Sequence, residues 1–115
     1  MPPKRSPEAD LIRVKHMIDA IEEALEFLAQ KKRADLDQNR MLVLALLKEL
    51  EILGEAANQV TAEFQKQSPE IPWAQIISTR NRLIHGYFDV DLDIVWNTFK
   101  KDLPLLLVAL KKVIA

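Results

Sequence analysis

The chain has 115 residues, of which 49% are hydrophobic and 29% charged, and its formal net charge is −1. This composition predicts one globular domain and excludes a disordered chain, while the net charge excludes a globally cationic surface, so any nucleic acid must meet a local basic patch. The absence of cysteine excludes disulfides, thiolate metal sites and cysteine nucleophiles.

The apolar runs are too short for a membrane protein. The longest, residues 41–47, falls far below the ~20 residues that a membrane-spanning helix requires, and the N-terminal segment lacks the apolar region of a secretory signal. We therefore expect a cytoplasmic protein without membrane partners. It should form a single domain over residues 1–115, with a flexible N-terminus at residues 1–6.

The first predicted helix begins at Ser6, because a hydroxyl side chain followed by Pro7 and Glu8 is typical of a helix start. Apolar side chains then recur every three or four residues, which predicts an amphipathic helix that ends near Gln30. The predicted buried face is Leu11, Val14, Ile18, Ile21, Leu25 and Leu28.

The second predicted helix has Asp35 and Asp37 as candidate N-caps. Its first two turns, residues 41–47, are apolar all round, which implies a second partner surface. Another copy of the chain is the preferred partner, and burial inside the monomer is the alternative. Gly54 predicts a close helix contact. The predicted core face is Val43, Leu46, Leu50, Leu53, Ala57 and Val60.

Residues 68–72, with two prolines, are the clearest break in the pattern. A third helix is predicted from about Pro72 to Gly86, with Trp73, Ile76, Ile77 and Ile84 buried. The fourth should be kinked where Pro104 removes a backbone hydrogen bond. Its apolar face is Leu92, Val95, Phe99, Leu103, Leu106, Leu110 and Val113.

Three acids at alternate positions, Asp89, Asp91 and Asp93, precede the fourth helix. Ile94 stands where a calcium loop needs glycine and no glutamate closes the loop, so we interpret the acids as helix-capping residues. The whole pattern predicts an all-α fold, an antiparallel bundle of four main helices with room for a short fifth. Neither a metal nor a cofactor is expected.

The greatest chemical variety lies in residues 80–91, Arg-Asn-Arg-Leu-Ile-His-Gly-Tyr-Phe-Asp-Val-Asp. Arg80 and His85 are five residues apart, about 140° around a straight helix. They could converge if the helix ends near His85, or if two chains face each other across a two-fold axis. Tyr87 follows Arg80 by seven residues and would share its azimuth, so these three side chains can line one pocket.

Histidine transfers protons near neutral pH, and arginine offers a fork of donors that matches phosphate. Together Arg80 and His85 suit attack of a ribose 2′-hydroxyl on the adjacent phosphate, and a dimer with two copies of His85 would supply both base and acid. The alternatives are a structural His85 at a helix end and an ion pair of Arg80 with Asp89 or Asp91. Asn81 could orient phosphate or be merely exposed, and Arg82 is placed on a solvated rim that could meet RNA.

The longer string is more specific than the spacing. Together with four other segments, the string resembles the HepT family of HEPN-domain toxins, and the resemblance covers nearly the whole chain. The four segments are Leu-Gly-Glu-Ala at residues 53–56, Ile-Pro-Trp at 71–73, Ile-Val-Trp at 94–96 and Asp-Leu-Pro at 102–104. The resemblance implies a HEPN-type helical homodimer with its cleft at the two-fold axis. It also implies a metal-independent endoribonuclease of a prokaryotic toxin–antitoxin pair.

The family's Arg-x4-His-x-Tyr motif falls on Arg80, His85 and Tyr87. The resemblance implies that Arg80 and His85 are catalytic on an RNA substrate, and that Tyr87 accepts AMP from the family's partner, the MntA nucleotidyltransferase antitoxin. Two other functions stay open from the residues alone. One is a non-catalytic module that binds a nucleotide or phosphate for a nucleotidyltransferase, and the other is a structural dimer without a ligand.

Overall fold

The structure, a computed structural model, describes residues 6–83 and 90–115, with the side chains of residues 80–83 outside that description. The helices in these ranges are α1 (Pro7–Phe27), α2 (Asp35–Gln38), α3 (Arg40–Gln59), α4 (Ala62–Gln67), α5 (Trp73–Leu83), α6 (Leu92–Asn97), a π-helical turn (Thr98–Asp102) and α7 (Leu103–Val113). The predicted all-α fold is confirmed. None of these helices combines the length and hydropathy needed to cross a bilayer.

The start of α1 is as predicted. The Ser6 hydroxyl accepts a hydrogen bond from the Ala9 backbone N–H at 3.1 Å, and Pro7 occupies the first turn, where its missing N–H removes no helical bond. Ser6 is therefore fixed at the helix end. The preceding residues 1–5 lie outside the described ranges.

The start of α3 differs from the prediction that Asp35 or Asp37 would cap it. The cap is Asn39, whose side-chain oxygen accepts from the Leu42 backbone N–H at 3.0 Å. Asp35 and Asp37 lie instead inside the short α2, and the Asp35 carboxylate accepts from the Lys32 N–H at 2.6 Å. Several polar residues precede the apolar run, and the one directly before the first helical residue, Arg40, forms the cap.

The predicted core faces of the long helices are largely confirmed, because a 3.6-residue period fixes which side chains share a face. On α1 the exceptions are Leu11, which is 41% exposed, and Leu25, which is half-buried. The buried strip of α1 lies slightly to one side of the predicted face and also takes in Met17, Ala20 and Ala24. All six predicted core residues of α3 are buried. The same holds in the last helical segment, which consists of α6, the π-helical turn and α7, for Val95, Phe99, Leu103, Leu106 and Leu110.

The helices form an antiparallel bundle with α3 at its centre, packed against α1 on one side and α5 on the other. Asp10 near the start of α1 lies next to Thr61, just beyond the end of α3, so these two helices run in opposite directions. The α7 helix packs on α1. Between α5 and the last helical segment runs an open groove of about 510 Å³ over α3, the α5–α7 groove, whose floor includes Leu50 and Leu53.

A buried acid joins the two ends of the α1–α3 pair. Asp10, only 2% exposed, accepts hydrogen bonds from the Thr61 backbone N–H at 2.8 Å and from its hydroxyl at 2.7 Å. The same hydroxyl oxygen accepts from the Phe64 N–H and so caps α4. Both Asp10 carboxylate oxygens are satisfied, as the burial of a charged group requires.

Trp73 was predicted to be buried, and the structure confirms this. Its indole N–H donates to the Ser68 carbonyl at 3.1 Å, and its ring meets Phe64 edge to face with centroids 6.3 Å apart. Trp96 is half-buried, and the Lys100 ammonium lies 5.1 Å from the centre of its ring. Lys100 thereby shields the exposed part of the Trp96 ring.

The kink was predicted at Pro104, and the irregular segment there is a π-helical turn directly before it. There the Leu103 N–H donates to the Thr98 carbonyl, five residues back, and Pro104 falls in the first turn of α7, where no N–H is needed. The π-helical turn holds one more residue than an α-helical turn, and α7 begins directly after it with Pro104 in its first turn. The apolar face continues across it from Phe99 to Leu103.

Candidate functional site

The helix that leads into the motif, α5, is held close to α3 at Gly54. A Cβ built on Gly54 would lie 3.5 Å from the Ile76 carbonyl oxygen and 3.7 Å from that of Ile77. The predicted close contact at this glycine is therefore confirmed, since the backbone of α5 packs directly against α3 at Gly54. It places the helix that carries Arg80 in direct contact with α3.

The register of α5 on α3 places the motif at one end of the bundle. Trp73, the first residue of α5, contacts Phe64 just beyond the end of α3, and Gly54 inside α3 lies opposite Ile76 and Ile77, so the two helices are antiparallel. The last turn of α5 therefore lies beside the N-terminal half of α3.

Three of the predicted site residues, Arg80, Asn81 and Arg82, lie in the last turn of α5. Arg80 follows the buried Trp73 by seven residues, about two helical turns. Its Cα therefore lies on the same face of α5 as that tryptophan. The predicted roles of these three side chains stay predictions.

The other two predicted site residues, His85 and Tyr87, lie outside the described ranges, as do Gly86 and Asp89. The convergence of Arg80, His85 and Tyr87 on one pocket therefore stays a prediction, and so does the alternative ion pair of Arg80 with Asp89 or Asp91.

The capping role predicted for the acids after the motif is confirmed at Asp91. Its carboxylate accepts from the Ile94 N–H at 3.1 Å and caps α6. Asp93 pairs with Arg33, which donates from Nε at 2.7 Å, and this contact, with Asp37 also near, raises the pKa of the Arg33 guanidinium. No group of three or more potential metal ligands occurs in the part of the chain that the structure describes.

An acid that the sequence did not single out is buried in the bundle. Glu49 is 4% exposed, and one of its carboxylate oxygens, Oε2, has no hydrogen-bond partner among the described residues. The pKa of Glu49 is raised to about 7. Burial is the largest cause, and a hydrogen bond with Glu23 of α1 and the repulsion between the two carboxylates add to it. Glu49 and Gly54 differ by about 140° around α3, so this acid faces away from the α5 contact.

The raised pKa of Glu49 predicts a pH-dependent stability. The contribution of Glu49 to the free energy of unfolding is fully present below the ordinary pKa of 4.5 and is lost as pH rises through about 7. Glu49→Gln, which stays neutral, should therefore raise the free energy of unfolding at pH 8 by about 1–2 kcal/mol and change it little at pH 4. Urea unfolding at the two pH values measures this. Glu55→Gln, an exposed acid on the same helix, is the control, and an equal gain from Glu49→Gln at both pH values would contradict the assignment.

The apolar start of α3 leaves an exposed surface at the same end of the bundle as the last turn of α5. Met41 is 82% exposed and Leu44 is 48% exposed, whereas Leu42 is buried. The prediction that one core would not cover the whole circumference of this segment is thus confirmed.

Comparison with known proteins places the chain in a family. The HepT-like family model, described as Ribonuclease HepT-like, matches residues 17–113. A protein named Probable ribonuclease HepT from Thermococcus cleftensis is 35% identical over 96 residues, 80% of this chain and 87% of the relative.

Two further relatives have names that give RNase as a provisional activity. The one from Methanocaldococcus jannaschii is 31% identical over 88 residues, 76% of this chain and 81% of its own. The one from Caldanaerobacter subterraneus is 32% identical over 101 residues, 84% of this chain and 90% of its own. No solved structure matches the chain significantly. Since the family model spans the helices α2 to α7 in full and the whole Arg80–Asp91 motif, the chain belongs to the HepT-like ribonuclease family.

Proposed function

We propose that the protein is the ribonuclease of a toxin–antitoxin pair, a metal-independent endoribonuclease that works as a homodimer. The observation that carries the proposal is the family match over residues 17–113, which includes Arg80, His85 and Tyr87. Relatives that are similar over most of their length are named as ribonucleases. The packing of α5 on α3 supports it further, because a site needs a rigid element beneath its charged groups.

In the proposed reaction the RNA supplies its own nucleophile. A base removes the proton of the ribose 2′-hydroxyl, the oxygen forms a bond to the adjacent phosphorus, and the bond from phosphorus to the 5′-oxygen breaks. An acid gives a proton to that leaving oxygen, so the products are a 2′,3′-cyclic phosphate and a 5′-hydroxyl. His85 transfers protons, and Arg80 binds the phosphate and stabilises the charge that builds on it.

The reaction needs a base and an acid, and the motif contains a single histidine. We therefore propose that two copies of the chain share one cleft, in which the two His85 side chains take the two roles. The exposed Met41 and Leu44 support this arrangement, since they form an apolar surface at the end of the bundle toward which α5 runs. With a net charge of −1, the cleft must provide its own positive charge, and Arg80, Asn81 and Arg82 of both copies would line it.

In this proposal the antitoxin is a MntA-like nucleotidyltransferase that transfers AMP from ATP to the Tyr87 hydroxyl. The tyrosine oxygen forms a bond to the α-phosphorus of ATP, and pyrophosphate leaves. The product places an anionic and bulky group near Arg80. It would compete with the RNA phosphate for the guanidinium and fill the cleft as well.

Incubation of the purified protein with a mixed-sequence RNA in EDTA tests the proposed reaction. We expect cleavage at unchanged rate with and without the chelator, and fragments that end in a 2′,3′-cyclic phosphate. The matched substrate with 2′-deoxyribose at every position should stay intact, because it lacks the nucleophile. Intact RNA in a preparation that is folded by circular dichroism, or cleavage of the deoxy substrate, would reject this mechanism.

A further inference from the structure

The α5–α7 groove has an apolar surface that the monomer leaves open. Its floor is formed by side chains of α3 and by Ile76 of α5, and its far wall by the last helical segment. Two apolar side chains that line it project into solvent, Leu105 at 74% and Ile94 at 44% exposure. An opening of about 510 Å³ with such walls has the shape that receives one helix between two others.

Among the lining residues that the structure describes, the charges at the edge of this groove have one sign. Glu70, before α5, and Asp102, before α7, are both exposed lining residues. No lysine, arginine or histidine lines the groove among the residues that the structure describes, and neither carboxylate forms an ion pair within that set.

These charges decide between the possible occupants. Nucleic acid is disfavoured, since its phosphates would meet Glu70 and Asp102 and the described lining offers no aromatic ring for base stacking. A second copy seated groove to groove is also disfavoured, because a two-fold contact would bring two acidic edges together. A helix with one apolar face and flanking lysines or arginines fits both the floor and the edge.

We propose that the α5–α7 groove is the docking site for a basic amphipathic helix of a partner protein. The apolar face of that helix packs on Leu53, Ile76 and Leu105, and its cationic side chains pair with Glu70 and Asp102. The groove extends to Thr79, the residue before Arg80, so the docked helix ends beside the motif. The inference rests on the shape and charge of the groove and is independent of the proposed nuclease reaction.

Two synthetic helical peptides of about 14 residues, ~21 Å long, test this proposal. Both peptides have leucines at the same i, i+3, i+4 and i+7 positions. The polar face of the first peptide contains only lysine, and that of the second contains only glutamate. In an NMR titration of the full chain, the lysine peptide should bind at least about tenfold more tightly than the glutamate peptide. The shifted amide signals should map to the groove residues.

Variants of the chain then separate the groove from other surfaces. Leu105→Glu should weaken the lysine peptide about tenfold or more, and Glu70→Lys should reduce its preference over the glutamate peptide. Ile12→Glu, at a side chain 52% exposed on α1 and outside the groove, should leave binding unchanged. Equal binding of both peptides, or signal shifts elsewhere, would overturn the proposal. A Leu105→Glu variant whose mass by light scattering falls from dimer to monomer would also overturn it, because the occupant would then be a second copy.

Discussion

Replacing His85 with alanine is expected to abolish RNA cleavage, with the rate falling by at least about a thousandfold. A single general acid or base contributes roughly 10²–10⁴ to the rate of an enzyme. Because the proposed dimer uses His85 twice, as base in one copy and acid in the other, the substitution removes both proton transfers at once. The measurement is the initial rate of cleavage of a labelled RNA, together with growth of cells that express the variant.

The chain offers a matched control for this substitution. His16, the other of its two histidines, lies exposed on α1, so His16→Ala should keep wild-type cleavage and growth inhibition. Both variants should retain the helical circular dichroism of the parent. If His85→Ala cleaves RNA within tenfold of wild type while folded, His85 has no catalytic role and the proposed reaction fails.

The helical faces could be predicted from the sequence because they follow from geometry alone. A period of 3.6 residues places Val43, Leu46 and Leu50 on one side of α3 whatever lies next to them, and all three are buried. The position of Gly54 could be interpreted for a similar reason, since a glycine inside a helix is retained most easily where another backbone comes close.

Helix boundaries depend on details that the pattern does not contain. Asp35, Asp37 and Asn39 are all chemically suitable caps for α3, and the one that acts, Asn39, is the one whose extended backbone directs its side chain to the Leu42 N–H. The chain leaves α1 through Gln30, whose φ is +63°. Glycine would be the usual signal for that left-handed conformation, and glutamine gives none.

Contacts between distant segments were the least predictable. Asp10 and Thr61 are 51 residues apart, and each would pass alone for an ordinary surface residue of a helix. Glu49 lies one turn from both Leu46 and Leu53, two residues of the predicted core face, and that position was a signal of burial that could have been used. For the candidate site, the sequence supplied the residues and their family, while the structure supplied the register of α5 on α3.

AMP transfer to Tyr87 should be complete and confined to that residue. When the chain is incubated with a MntA-like nucleotidyltransferase and ATP, intact-mass spectrometry should show added AMP, and Tyr87→Phe should show none. Tyr87 is the only tyrosine in the chain, so this substitution removes one hydroxyl and no other phenol. Modified wild-type protein should lose RNA cleavage at least about a hundredfold, because the new phosphate competes for Arg80 and the adenosine occupies the cleft.

His85→Ala distinguishes acceptance of AMP from catalysis of RNA cleavage. That variant keeps the Tyr87 hydroxyl and should still gain AMP, although it cuts no RNA. Mass gain in both His85→Ala and Tyr87→Phe would place the acceptor on a serine or threonine. Mass gain in neither would mean that the modifying enzyme must recognise the histidine as well as the tyrosine. Because the proposed neutralisation acts through Arg80, the decisive expected result is that AMP on Tyr87 and RNA on Arg80 exclude each other in a direct binding competition.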